Sequence, residues 1–175
     1  MAGNSDKSNP ERKIALGPEK LNFFFVIHLN RIYFAKQHLV QKLPLLKNEV
    51  SFSDLRHAIE ETVDDVEKQM ARMELIYELI DASISKGSIH GLTGLVDDAF
   101  EAIKEQEGEE ELRDMSIIFY LQNIESVEMA SFQVLQMAAV KLKNNQITQL
   151  LKENYDEAKA DRTLLLLIAA KYITR

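Results

Sequence analysis

Cysteine is absent from this 175-residue chain, which excludes disulfides, thiolate catalysis and Cys-ligated zinc. A cysteine-free chain suits a reducing compartment, so a cytoplasmic location is expected. Tryptophan is absent too, and only 6 glycines and 3 prolines interrupt the chain, which leaves room for long helices. Basic residues are outnumbered: net charge is -7 and no stripe of Lys and Arg stands out, so nucleic acid is not an expected partner. No apolar run is long enough to span a bilayer, so no membrane partner is expected either. Residues 1–17 are polar without an apolar core, which reads as a disordered N-terminal tail and not as a signal peptide. Glycine-rich phosphate loops and nucleophile motifs are missing, and hydrolase chemistry goes with them.

What is present is amphipathic helix. Hydrophobic residues form 46% of the chain and charged residues 28%, a globular balance that allows a bundle to bury its core without staples. The spacing predicts a first long helix from about Pro18 to Leu46, proline suiting its first turn and Pro44 marking its last. A second opens at Ser51 or Ser53, either of which can cap it. Its seam runs from Leu55 through Val66 and Met73 to Ile84 in steps of three and four. A short helix is expected over about His90 to Glu105, bounded by Lys86–Ser88 and by the acidic run Glu105–Glu111. Two more long helices follow, about Glu109 to Leu142 and Gln146 to Ile173, with a turn at Asn144 and Asn145. The joints near 47–52 and 143–146 are short, so each makes an antiparallel pair. The stretch from Lys86 to Gly108 is long enough to run the length of the bundle. This predicts an all-α, ferritin-like antiparallel four-helix bundle over residues 18–175, with a long crossover carrying a short fifth helix.

Polar residues stand where the seams should be apolar. Glu125 and Glu128 interrupt the third long seam between Leu121 and Phe132. Asn154, Glu157 and Asp161 interrupt the fourth. Carboxylates three or four apart share one helix face, so these converge at one depth if they point inward. Buried carboxylates need a cationic partner. One answer is a pair of iron or manganese ions held by Glu125, Glu128, Glu157 and Asp161. The other is a side chain, Lys36, between Ile32 and Leu39 on the first helix. We expect the second, with Lys36 neutralising Glu125, Glu128 and Glu157 and no cofactor. Glu60, Glu61, Asp64 and Asp65 read as a solvated face, Asp65 being the one retained as a candidate ligand. Four histidines occur, His28, His38, His57 and His90, and none pairs at ligand spacing. Phe23, Phe24 and Phe25 cannot all face one core. Together with the run Leu164–Leu167 they predict cover by the crossover or a second subunit, hence a homodimer.

Several short pieces resemble the YciE/YciF-like ferritin-like proteins, a bacterial group linked to stress responses. Ile32-Tyr33-Phe34-Ala35-Lys36-Gln37 is similar to the family's first-helix pattern, with Lys36 in its glutamate place. Arg72–Glu78 is similar to the second-helix pattern, and Gln69 stands where the family has a histidine. Gly91–Val96 matches the crossover motif. Glu125–Ala130 looks like the third-helix pattern with Ser126 for histidine, and Tyr155–Asp161 looks like the fourth-helix acidic piece. The resemblance spans about Leu21 to Ala170. It implies a di-metal site that has become vestigial, because a Glu and two His are gone and a Lys has arrived. Gln69 therefore joins Lys36 and the three glutamates as an expected structural charge cluster. Two functions remain in view, a non-enzymatic, stress-associated bundle protein and a di-iron or di-manganese protein acting on dioxygen, peroxide or ferrous iron. A helical adaptor with an unknown protein partner at Phe23–Phe25 is a third.

Overall fold

The computed structural model describes residues 16–85 and 90–174. Most of the expected tail, residues 1–15, and the break at 86–89 lie outside the described residues. Five helices follow in order: α1 (Pro18–Lys47), α2 (Ser53–Leu79), α3 (His90–Glu105), α4 (Glu110–Lys141) and α5 (Asn145–Ile173). The four long ones form a ferritin-like bundle. α1 pairs with α2 and α4 with α5, and the hairpins pack α2 on α5 and α1 on α4. The crossover helix α3 lies outside, over α4 and α1. None of the described helices is long and apolar enough to cross a membrane.

Contacts at the two ends give the directions. At one end the start of α2 meets the start of α4, where the Asp114 carboxylate accepts from the backbone of Ser51 and Phe52 at 2.7 and 2.6 Å. At the same end Phe52 stacks on Tyr172 near the end of α5, centroids 3.6 Å apart. At the other end buried Asn30, early in α1, accepts from Tyr77 Oη at 2.9 Å and binds Ser85 just past α2. α2 and α4 therefore run parallel, which only a crossover the length of the bundle allows.

Two local expectations need correction. Neither Ser51 nor Ser53 caps α2. Its N-cap is Phe52, without a side-chain cap, and Asp114 from α4 accepts from the Phe52 amide and from that of Ser51 just before it. The carboxylate that anchors the entry to α2 comes from another helix, which no local pattern announces. α2 also ends at Leu79, short of the expected Ile84. Asp81 takes a left-handed conformation (φ 49°) and the Ala82 amide turns back to the Tyr77 carbonyl, a helix-closing arrangement that leaves Ile84 41% exposed.

The core divides into two apolar layers. One gathers Leu43, Leu55, Ile59, Leu121 and Leu165 toward the Asp114 end. The other gathers Phe25, Leu29, Met73, Phe132 and Leu151 toward the Asn30 end. A band of buried polar side chains lies between them.

Candidate functional site

Each of the four long helices contributes to that band: Lys36 from α1, Gln69 from α2, Glu125 and Glu128 from α4, Asn154 and Asp161 from α5. Lys36, Gln69, Glu128 and Asn154 are wholly buried, and Glu125 and Asp161 nearly so. The Lys36 ammonium donates to Gln69 Oε1 and to Glu128 Oε2. The Phe132 ring lies beneath it, centroid 5.3 Å from Nζ, and closes the site toward the second apolar layer.

One ammonium does not satisfy all the acids. Glu125 Oε2, Glu128 Oε1, Asp161 Oδ2 and Gln69 Nε2 are buried without a hydrogen-bond partner. Burial, and next the negative charge of Glu128, push the Glu125 carboxyl well above its usual range, against the pull of Lys36. Asp161 is pushed up to about 7, first by burial and then by Asp65 and Glu61 on α2. These groups hold protons more tightly than free carboxyls, which is how buried acids in excess of their counter-charge are relieved.

Glu157 does not join them. It lies one position off the inward face of α5, whose buried positions are Ile147, Leu151, Asn154, Ala158, Asp161, Leu165 and Ile168. Its carboxylate takes both guanidinium nitrogens of Arg72 on α2 at 2.6 Å each, and Glu153 forms an ion pair with Arg72, Oε2 lying 3.1 Å from Nε. The expected grouping of Lys36 with Glu157 is thus replaced by an Arg72–Glu157 fork at the rim, 23% exposed on the glutamate side. Asn154 and Asp161 lie on the inward face as the spacing predicts, but the position buried between them is Ala158 and not Glu157, because a step of three and a step of four both keep to one side of a helix. The basic signal, Arg72 three residues past Gln69, was present in the sequence without indicating which acid it would meet. Asp65 stays near the surface with Lys68 at 2.7 Å. Ser126, in the family's histidine place, donates to the Gln122 carbonyl and accepts from Arg162 Nε at 2.8 Å.

The donor set does not fit a di-metal centre. Among the described residues no three His, Asp or Glu side chains come together as metal ligands. Carboxylates enter the buried band from α4 and α5 alone, while α1 and α2 bring an ammonium and an amide. An ammonium already donating to a carboxylate competes with any metal for that oxygen.

The sequence and the fold both have relatives. A family described as a domain of unknown function, DUF892, matches residues 20–175. Protein YciF of Escherichia coli (strain K12) is 28% identical over 137 residues, which cover 78% of this chain and 82% of that protein. The crystal structure of the E. coli stress protein YciF superposes with a TM-score of 0.84 at 26% identity, covering 89% of this chain and 98% of that one. YcfI from Rhodopseudomonas palustris gives 0.77 at 26% identity, over 89% and 96%. A Xanthomonas campestris protein at 16% identity and TM-score 0.63, over 89% and 97%, shares the fold alone.

Proposed function

The chain belongs to the DUF892 family of YciE/YciF-like ferritin-like proteins, and on that premise we propose that it is a non-enzymatic bundle protein with a stress-associated, cytoplasmic role, in which an ammonium has taken over the ancestral metal position. The observation that carries this is Lys36 Nζ donating to Glu128 and Gln69 from a wholly buried position. In a di-metal bundle the cation is exchangeable and leaves coordination positions open to substrate. A lysine ammonium is covalently tethered, offers no Lewis acidity and opens no position to dioxygen or peroxide. Its role here is to hold the four helices in register about a polar centre. The stress association rests on the E. coli relative, which is described as a stress protein.

Elemental analysis of protein purified without chelator tests the reading. We expect iron and manganese far below one per chain. Stoichiometric metal would move the protein to the second reading, a di-iron or di-manganese carboxylate protein. The unpartnered oxygens of Glu125, Glu128 and Asp161 favour that alternative.

The same proposal includes self-association. Leu166 and Leu167 on α5 are 51% and 63% exposed, and adjacent leucines on an outer helix face suit a homodimer contact. Light scattering on a size-exclusion column should give twice the monomer mass, and Leu167→Lys should halve it. A wild-type chain at monomer mass throughout rules the dimer out.

A further inference from the structure

A groove of about 930 Å³ lies outside the polar band, between the first turns of α1, the start of α3 and the middle of α4. Its walls are chiefly apolar: Ile32 from α1, Leu92 and Leu95 from α3, and Val127, Val134 and Leu135 from α4. Gly91 lies on its α3 wall with open space around it, a Cβ built there meeting nothing within 4 Å. The outer face of α4 brings no charge to fill it, since between Met115 and Val140 the only charged residues are Glu125 and Glu128, and both are buried. Val127 and Val134 are left 38% and 48% exposed.

The groove is not apolar throughout. His28 and Arg31 line its α1 side. His28 packs on the Phe24 ring, centroids 4.3 Å apart. Its pKa is lowered, first by burial and then by the charge of Arg31. Arg31 forms no ion pair with any described residue, in a chain whose acids outnumber its bases by seven. A permanent cation without an ion-pair partner among the described residues, at the edge of an apolar trough of small-molecule size, is the pattern of a site for an amphipathic anion.

We propose that this groove binds a long-chain monocarboxylate of the free fatty acid class, its carboxylate on Arg31 and its alkyl chain along Ile32, Leu95 and Val134. His28, in its neutral form, can add one ring N–H to the carboxylate. A single permanent cation matches a monoanion better than a phosphate dianion. A second copy of this chain is the poorer occupant, because the α4 face it would present carries no exposed acid to answer Arg31. The inference is independent of the reading given to the Lys36 cluster, since no cluster residue lines the groove.

Isothermal titration of the full chain with laurate, kept below its micelle concentration, tests this, with 1-dodecanol as the uncharged comparison. We expect saturable 1:1 binding of laurate, tighter than dodecanol. Arg31→Gln should weaken laurate by roughly tenfold, the loss of one charge-assisted contact, and change dodecanol little. Gly91→Phe should fill the trough and abolish both while the melting temperature holds. If that variant fails to fold, Val134→Glu at its half-exposed position should repel laurate in the same way. The proposal is overturned by the absence of saturable binding, by equal affinity for acid and alcohol, or by indifference to Arg31→Gln and to the groove-filling variant. It is also overturned if filling the groove instead lowers the molecular mass in light scattering, which would give the surface to a second copy.

Discussion

Replacing Lys36 by methionine lowers the unfolding free energy by about 3 kcal/mol, within the range measured when one partner of a buried ion pair is removed. Methionine fills nearly the same volume, so no large cavity forms and the loss is electrostatic in origin. Without the ammonium, the Glu128 carboxylate is left wholly buried and facing Gln69 Oε1, oxygen against oxygen. Gln69 has one remedy: its unpartnered Nε2 can turn toward Glu128, which holds the loss near the lower end of that range. Adding Glu128→Gln to Lys36→Met should restore most of the stability, because two amides can pair where a carboxylate and an amide oxygen cannot. Urea denaturation of the wild type, the single variant and the double variant measures both effects. A single-variant loss under about 1 kcal/mol would mean that the acids are satisfied by something other than the lysine.

Asp161→Asn should stabilise the protein in alkali and do little in acid. Folded Asp161 keeps its proton up to about pH 7 against an ordinary aspartate value of 3.8. Between those values the native state binds more protons than the unfolded chain, so stability falls as pH rises from about 4 to about 7 and then levels off. The difference corresponds to about 3–5 kcal/mol at full ionisation. Burial is the leading cause, followed by the charges of Asp65 and Glu61, with Lys36 opposing them and Glu128 adding to them. Glu125 is shifted in the same direction and deepens the trend. Asparagine removes the charge and can donate its amide toward the neighbouring carboxylates. Thermal melts at pH 4 and pH 8 decide the matter. Wild-type and Asp161→Asn melting temperatures that run parallel across this range would show that the carboxyl is already ionised at little cost in the fold.

The physics behind these two results explains what could be read in advance. Helix number, order and hairpin pairing follow from apolar periodicity and loop length, which are properties of consecutive residues. The short α3 was legible because Lys86–Ser88 and Gly108 bracket it. Glu125 and Glu128 were legible as inward because Leu121 and Phe132 flank them on a strongly apolar helix, and the structure buries both. Glu157 was not, since its neighbours Asn154 and Asp161 are polar as well and give the phase of α5 no apolar reference. The anchoring of the α2 entry by Asp114 was also invisible, because donor and acceptor are 62 residues apart in the chain.

The sequence alone therefore determined the class of molecule: four long amphipathic helices, one crossover and an excess of acids over bases at the middle of the bundle. Periodicity and composition are local quantities, and they suffice for that. Which acid meets which base was decided only in three dimensions, where Lys36 takes Glu128, Arg72 takes Glu157, and burial, with the charges of Asp65 and Glu61, pushes the Asp161 carboxyl up to about 7. The reason is geometric. A helix fixes the direction of each side chain to within a fraction of a turn, but the rotation of one helix against another is set by the packing of the two apolar layers, and a single residue of rotation is enough to move a carboxylate from the core to the rim.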